Sequence, residues 1–282
     1  MRKLFLLCLI IFSVQAVAQT PRDPRESISD AIADMDRAFS RNDFIPQDEY
    51  FLGRAVAANI LANYRPYTAY PDLTRYLNLI CHSIVVNSVQ PTIFKNYYVM
   101  ILDSPEFNAF STPGGHIFLT RGLVELAASE DMLAAVIAHE LVHIMLRHSI
   151  SAIENMRFRD DMARVSDRAS TFAGNIGSVN RITNFRNSVS DVIDMLTRNG
   201  YSRTQEFEAD REAAALLAAT GYDPMSLIEM LHILQQVQST QAGGFNTTHP
   251  SPRERITSVE ATARHYQVED TRSYRTQRFN NR

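Results

Sequence analysis

This chain is organised around one stretch, Ala138-His139-Glu140-Leu141-Val142-His143-Ile144. On an α-helix, His139 and His143 lie one turn and about 40° apart, so both imidazoles leave the same face. That separation suits two nitrogen ligands of a tetrahedral zinc site. Glu140 sits at the edge of this face, where its carboxylate can take a proton from a water at the metal. The spacing therefore predicts a metal site with a general base beside it.

The residues around this stretch predict a buried helix. Ser129 is predicted as its N-cap, with Glu130 and Asp131 in the first turn, and the helix is expected to run to about His148. Histidines that only cap carbonyls or face solvent fit this context poorly, because buried polar groups are costly unless they are paired or bound to metal. The apolar neighbours are Leu133, Ala134, Ala135, Val136, Ile137, Ala138, Leu141 and Ile144.

A second helix, predicted from Thr204 to Thr220, supplies a third ligand. Glu206 and Asp210 are four residues apart and share a face, whereas Glu208 points about 160° away from Asp210. We expect Glu206 to bind the metal and Asp210 to orient a ligating imidazole. An acidic face that is merely solvated is the competing interpretation.

The remaining elements predict an α+β fold, mainly helical, with a small and mostly antiparallel sheet beside the metal-binding helix. Apolar residues at helical spacing indicate the helices, and runs of strand-forming residues bounded by turn signals indicate the strands. The expected strands are 97–102, 107–110 and 116–120, and the expected further helices are 48–64, 72–88, 225–236 and 252–266.

The domain boundaries follow from composition. Residues 1–18 have a basic start, an apolar run and Ala16-Val17-Ala18, which is typical of a cleaved signal peptide. A single domain is expected over 19–270, in which 155–200 is a lid or inserted loop. The polar, basic residues 271–282 are expected to form a flexible tail.

Charge and cysteine content narrow the classes of function. A formal net charge of −3 gives no reason to expect nucleic-acid binding. No apolar span follows the signal, so at most a peripheral association with a membrane is expected. Of the two cysteines, Cys8 lies in the signal and Cys81 is left alone, which excludes an intramolecular disulfide.

Several further motifs follow one another along the chain: Asn108-Ala109-Phe110, the run from Pro113 to Leu123, Ser129-Glu130-Asp131, and Ser202-Arg203…Glu206…Ala209-Asp210. With the His139–His143 stretch, they resemble the HtpX/CAAX-protease-type zinc metallopeptidases, which are gluzincins with a zincin-like domain. The resemblance is strongest to the periplasmic BepA-like branch, here expected without its C-terminal tetratricopeptide repeats.

The resemblance implies one Zn²⁺ per chain, held by His139, His143 and Glu206, with Glu140 as the catalytic carboxylate. It also gives a role to His249, which in BepA-like enzymes can approach the zinc, either in a resting state or to stabilise an oxyanion. By itself, a loop histidine such as this one is more often a surface residue. The resemblance further places the edge strand for an extended substrate at Asn108, Ala109 and Phe110.

The motif and the resemblance together predict a metalloendopeptidase of extended polypeptides. The resemblance implies that it cleaves misfolded envelope polypeptides in protein quality control, and the export signal predicts the periplasm or, as second choice, secretion. The alternatives are a latent, chaperone-like zinc-binding protein with an occluded site, and a structural zinc site with four protein ligands. Arg203 is considered as a contact to substrate or to a carboxylate. The other histidines are expected to be structural or exposed: His82, His116, His148, His232 and His265.

Overall fold

A computed structural model describes residues 44–154, 189–237 and 249–282. The strands are β1 Tyr98–Leu102, β2 Ala109–Thr112 and β3 His116–Thr120. The helices are α1 Pro46–Asn63, α2 Pro71–Val85, α3 Arg121–Leu126, α4 Glu130–Met145, α5 His148–Glu154, α6 Arg203–Thr220, α7 Met225–Val237, α8 Pro252–His265 and α9 Arg272–Asn280, with a π-helical turn at Met195–Asn199. The predicted signal peptide and residues 155–188 of the predicted lid lie outside the described residues.

The three strands form one mixed sheet in the order β1-β3-β2. β1 runs parallel to β3, and β2 forms an antiparallel hairpin with β3. Gly114 and Gly115 close the hairpin with φ angles of 74° and 107°, which glycine adopts without steric cost. The prediction of a mainly helical α+β domain is confirmed, but the sheet is mixed rather than mostly antiparallel. The connection 103–108 leaves a gap between β1 and β2, and β3 fills it.

Both faces of the sheet are buried, and its edge strand β2 packs against α4. Ile117 and Leu119 belong to the larger core with α2 and α4. Phe110 and Phe118 lie opposite each other in the hairpin, on the other face, and pack in a second core with α1 and part of 189–201. All four residues of β2 are buried although the strand is at an edge of the sheet. The strand is therefore covered by other parts of the fold.

α4 is the central helix of the larger core. Its N-cap is Ser129, as predicted, and the Ser129 Oγ accepts a hydrogen bond from the Met132 backbone N–H at 3.2 Å. Nearly every residue of this helix is buried, including His139 and His143. Because α2, the sheet, α6 and α7 all pack against α4, the polar residues of its motif lie inside the protein.

α4 ends earlier than predicted. The sequence predicts a helix to about His148, but in the structure α4 ends at Met145 because Arg147 adopts a left-handed φ of 56°. Arg147 is held in place by Glu49 Oε1 and the Phe44 carbonyl, which accept hydrogen bonds from its guanidinium at 2.6 and 2.9 Å. α5 then leaves at an angle of 40° to α4.

None of the described helices is by itself long and apolar enough to cross a bilayer. Only α4 and α5 taken together, as a bent pair, pass by length and composition.

α6 packs closely along α4. Ala209, Ala213 and Ala214 are fully buried small residues, and small residues allow two helices to approach closely. Ser202 and Gln205 form a capping box at the start of α6. Gly221 ends it in the left-handed conformation, as predicted, with φ 84°. This close approach brings the acidic residues of α6 to the histidines of α4.

α9 forms where the sequence analysis expects a flexible tail. Arg275 is buried, and its Nε donates to Asp131 Oδ2 at 2.8 Å. Arg278 pairs with Glu130, which also accepts a hydrogen bond from the Tyr222 hydroxyl at 3.1 Å. Glu130 and Asp131, which are predicted to stabilise the start of α4, therefore also anchor α9. Composition alone does not reveal these long-range contacts.

Candidate metal centre

The structure brings the three predicted ligands together between α4 and α6. The Nε2 atoms of His139 and His143 lie 3.1 Å apart. Glu206 reaches both rings, with Oε2 at 3.5 Å from His139 Nε2 and Oε1 at 3.6 Å from His143 Nε2. All three side chains are buried. Two imidazoles and one carboxylate thus converge on one point.

His249, just before α8, is a fourth member of this cluster. Its Nδ1 lies 2.9 and 2.8 Å from the two carboxylate oxygens of Glu206. Ligand atoms of His139, His143, Glu206 and His249 all lie within 4.8 Å of one another. The predicted loop histidine is therefore an internal residue and not a surface one.

This set of donors fits zinc, which prefers imidazole nitrogen and carboxylate oxygen in a four-coordinate site. Within residues 44–154, 189–237 and 249–282, no other group of three or more His, Cys, Asp or Glu residues is arranged to hold a metal ion. Burial alone would raise the pKa of Glu206, but His249, His139 and Arg255 together hold it well below its usual range. Glu206 is therefore in the ionised form that a metal ligand requires.

Glu140 lies beside the cluster as a buried carboxylate with unmet hydrogen-bonding capacity. It is 1% exposed, and neither of its oxygens has a hydrogen-bond partner among the described residues. Such burial is costly, so the position calls for an explanation beyond packing. A cavity of about 10 Å³ adjoins it, which is room for about one water. The cavity is lined by Ala109, Phe110, Glu140, Met195, Leu196, Gly200, Tyr201 and His249.

Asp210, which the sequence predicts to orient a ligating imidazole, contacts His139. Asp210 Oδ1 lies 3.1 Å from His139 Nδ1, the ring nitrogen facing away from His143. Arg255, on α8, holds this carboxylate by donating to its two oxygens at 2.8 and 2.6 Å. Burial alone would raise the pKa of Asp210, but the positive charge of Arg255 lowers it. The carboxylate is thus kept charged and fixed.

His143 has different neighbours. Its Nδ1 lies 2.8 Å from Nδ1 of His148, and the other ring nitrogen of His148 lies 3.4 Å from Glu208 Oε2. The ring of Tyr201 stacks on His143 with centroids 4.0 Å apart and an interplanar angle of 14°. The Tyr201 hydroxyl is 2.7 Å from Ser149 Oγ. The ring of His143 is thus held at its edge and on one face.

Three of these neighbours were missed in the sequence analysis, for different reasons. A signal for Arg255 exists: it falls in the buried stripe of α8, which consists of Pro252, Arg255, Ile256, Val259 and Ala263, and a buried arginine needs an acidic partner. The sequence predicts His148 to be structural or exposed. The bend at Arg147 turns it towards His143, and helical periodicity does not predict such a bend. Tyr201 precedes α6 in an irregular segment, and no pattern marks it.

Other predicted residues lie around the cluster rather than in it. Ala109 and Phe110 line the cavity beside Glu140. Asn108 is buried at the start of β2, where its backbone N–H donates to Thr120 Oγ1 at 2.9 Å. Arg203 forms an exposed pair with Glu254 at 2.9 Å, which agrees with the contact to a carboxylate neighbour. None of His82, His116, His232 and His265 belongs to the metal-binding group.

Comparisons with known proteins agree with this geometry. Residues 71–263 match the family described as Peptidase family M48. The putative beta-barrel assembly-enhancing protease of Vibrio cholerae is 28% identical over 267 residues, which cover 94% of this chain and 52% of the relative. The beta-barrel assembly-enhancing protease of Escherichia coli K12 is 28% identical over 203 residues, or 68% of this chain and 39% of the relative.

A eukaryotic protein is also similar to this chain. The mitochondrial metalloendopeptidase OMA1 of Schizosaccharomyces pombe is 27% identical over 198 residues, which cover 70% of this chain and 55% of the relative. The matches thus span between 39% and 55% of the length of these three relatives.

Proposed function

This chain belongs to peptidase family M48, and we propose that it is a zinc-dependent endopeptidase acting on extended or misfolded polypeptides. One observation carries the proposal: His139, His143 and Glu206 converge beside Glu140, a buried carboxylate with no hydrogen-bond partner among the described residues. The relatives' names, protease and metalloendopeptidase, support the same class of reaction.

In this proposal His139, His143 and Glu206 hold one zinc ion. Bound zinc supplies a lowered pKa for a water and polarisation of the scissile carbonyl. Glu140 takes the proton of the attacking water and passes it to the leaving amine nitrogen. The lack of a hydrogen-bond partner for Glu140 among the described residues suits that role, because a carboxylate already engaged in hydrogen bonds would be a weaker base.

The substrate is proposed to bind as an added strand along β2, with Asn108, Ala109 and Phe110 as the edge. Backbone hydrogen bonds then provide affinity with little dependence on sequence, which suits unfolded or extended chains. β2 is buried in this structure, and Met195 and Leu196 line the cavity beside Glu140. Binding of a polypeptide along β2 therefore requires the residues that bury this strand to move.

The proposed cellular role is quality control of misassembled envelope proteins. The predicted signal peptide at 1–18 supports export to the periplasm, with secretion as the second choice. The bacterial relatives, which are named for beta-barrel assembly, support the envelope, whereas the OMA1 relative is named as mitochondrial. Association with a membrane is proposed to be peripheral at most.

The test measures zinc content and casein cleavage for the protein lacking residues 1–18 and for its Glu140→Gln variant. We expect about one zinc per chain in both, with cleavage by the unsubstituted protein alone. Glu212→Gln, a change at an exposed position of α6, is the matched control and should cleave normally. Absence of zinc from the metal-replete protein would overturn the proposal.

A second candidate function is a latent, chaperone-like zinc-binding protein. Two observations favour it: four protein groups meet at the site, and the cavity at Glu140 holds about one water. Zinc in both proteins without cleavage by either would support this candidate. His249→Ala then separates the two, because cleavage that appears on its removal shows a restrained peptidase. A purely structural zinc site predicts that Glu140→Gln leaves every property unchanged.

A further inference from the structure

His148 and Glu208 form a chain of contacts that ends on His143. The Nδ1 atoms of His148 and His143 are 2.8 Å apart, a hydrogen-bond distance between two ring nitrogens. On the far side of the His148 ring, Nε2 lies 3.4 Å from Glu208 Oε2. The His148 side chain is buried, whereas that of Glu208 is 43% exposed. The chain therefore runs from the surface to the metal centre.

The proton positions in this chain follow from the proposed function, on which this inference rests. His143 faces His139 and Glu206 with Nε2, so Nε2 is the nitrogen that would bind the metal. A neutral imidazole bound through Nε2 carries its hydrogen on Nδ1 and donates it. His148 Nδ1 must then accept, which leaves the hydrogen of a neutral His148 on Nε2, facing the Glu208 carboxylate. Every donor in this arrangement meets an acceptor.

We propose that His148 and Glu208 are positioning residues for His143, which fix its tautomer and the orientation of its ring. His139 receives the same support from Asp210 and Arg255. The acidic residues of α6 then divide the work: Glu206 contributes to the metal site, Asp210 orients His139, and Glu208 orients His143 through His148. Glu208, which the helical spacing places about 160° from Asp210, contacts His148 at 3.4 Å.

The backbone around His148 holds its ring for this task. Arg147, with φ 56° and pairing with Glu49, turns the chain so that His148 comes back towards His143. The His148 carbonyl accepts a hydrogen bond from Gln205 Nε2 at 3.3 Å, which ties the start of α5 to α6. A residue that only filled space would need neither of the two nitrogen contacts.

The experiment compares His148→Phe, which keeps a ring without nitrogens, with His148→Asn, whose amide oxygen can accept a hydrogen bond near the position of Nδ1. Zinc affinity is measured by competition with a chelator, and the absorption spectrum of the cobalt-loaded protein reports ligand geometry. Glu208→Ala is tested against the matched control Glu212→Ala, one turn further along α6 and exposed. Thermal unfolding of the metal-free proteins reports whether each variant folds.

We expect His148→Phe to lose about 10- to 100-fold in zinc affinity and to alter the cobalt spectrum. His148→Asn should recover most of this loss. Glu208→Ala should lose less than His148→Phe, and in the His148→Asn background it should act no differently from Glu212→Ala.

Unchanged affinity and spectrum in His148→Phe would overturn the inference. So would a loss in His148→Asn as large as that in His148→Phe, with both variants folded. If His148→Phe does not fold, the inference stands or falls on His148→Asn and Glu208→Ala. A wild-type protein that binds no zinc contradicts the proposed function itself, which makes the two failures distinguishable.

Discussion

The protein buries two aspartate–arginine pairs that share one hydrogen bond of the same length but differ in their other contacts. Arg275 Nε donates to Asp131 at 2.8 Å, and Arg255 Nε donates to Asp210 at the same distance. The other Asp131 oxygen accepts a hydrogen bond from the backbone N–H of Asp223 at 3.0 Å. The other Asp210 oxygen lies 3.1 Å from His139 Nδ1. One pair ties the ends of helices together, and the other reaches the metal centre.

The difference teaches that a buried ion pair does not reveal its role by its own distances. A buried pair costs desolvation energy, and its net contribution to stability is often small. The roles differ through the second carboxylate oxygen: in one pair it accepts from a backbone N–H of the fold, and in the other it contacts a candidate ligand as well as accepting a second hydrogen bond from Arg255. Removing charge at either site should therefore affect different properties of the protein.

Glu140 is a further buried carboxylate, but unlike Asp131 and Asp210 it has no hydrogen-bond partner among the described residues. The substitution Glu140→Gln should lower the rate of casein cleavage by about 10²- to 10⁴-fold, because it removes the general base. Zinc content and the free energy of unfolding should fall little, since no described hydrogen bond to the protein is lost. If cleavage persists in a zinc-loaded variant, Glu140 is not the base.

Arg275→Ala tests the pair at the start of α4. It leaves Asp131 buried without its charged partner, and we expect a loss of about 3–5 kcal/mol in the free energy of unfolding. Urea unfolding of the metal-free protein measures it. Arg272→Ala is the matched control on α9, because Arg272 pairs with Asp223 at an exposed position, where about 0–1 kcal/mol is expected. Equal effects of the two substitutions would show that α9 is not anchored by the buried pair.

The two aspartates can then be compared directly by Asp210→Asn and Asp131→Asn. Asp210→Asn should lower zinc affinity by about 10- to 100-fold, because the support of His139 is weakened. Asp131→Asn should lower the free energy of unfolding but leave zinc affinity unchanged in the folded protein. Chelator competition on both variants decides the point. Equal losses of zinc affinity would mean that the two pairs do not differ in role.

The sequence predicts the parts of this site that depend on helical spacing. On α4, His139 and His143 are four residues apart, and on α6 so are Glu206 and Asp210. That periodicity alone brings the members of each pair to one face of their helix. The caps at Ser129 and Gly221 are local in the same sense, so they too are predicted correctly.

Features that depend on distant contacts are not predicted. His148 reaches His143 only because Arg147 adopts a left-handed conformation, which spacing cannot show. α9 is helical because its arginines meet acids of α4 almost 150 residues earlier in the chain. The strand order β1-β3-β2 likewise depends on the connection 103–108, which separates β1 from β2 so that β3 lies between them. In each case the sequence contains both interacting residues but does not show that they are in contact.

The smallest effect is expected at Arg203, a residue that lies close to Glu206 in sequence but outside the cluster. Its guanidinium is 71% exposed and pairs with Glu254, itself 39% exposed, at 2.9 Å. Because both charges remain hydrated, Arg203→Ala should change the free energy of unfolding by less than about 1 kcal/mol, and 0.5 M salt should abolish the difference. Zinc affinity should not change. A rise in KM for casein with kcat preserved would instead indicate that Arg203 contacts the substrate, and would place an exposed pair, rather than a buried one, at the entrance of the site.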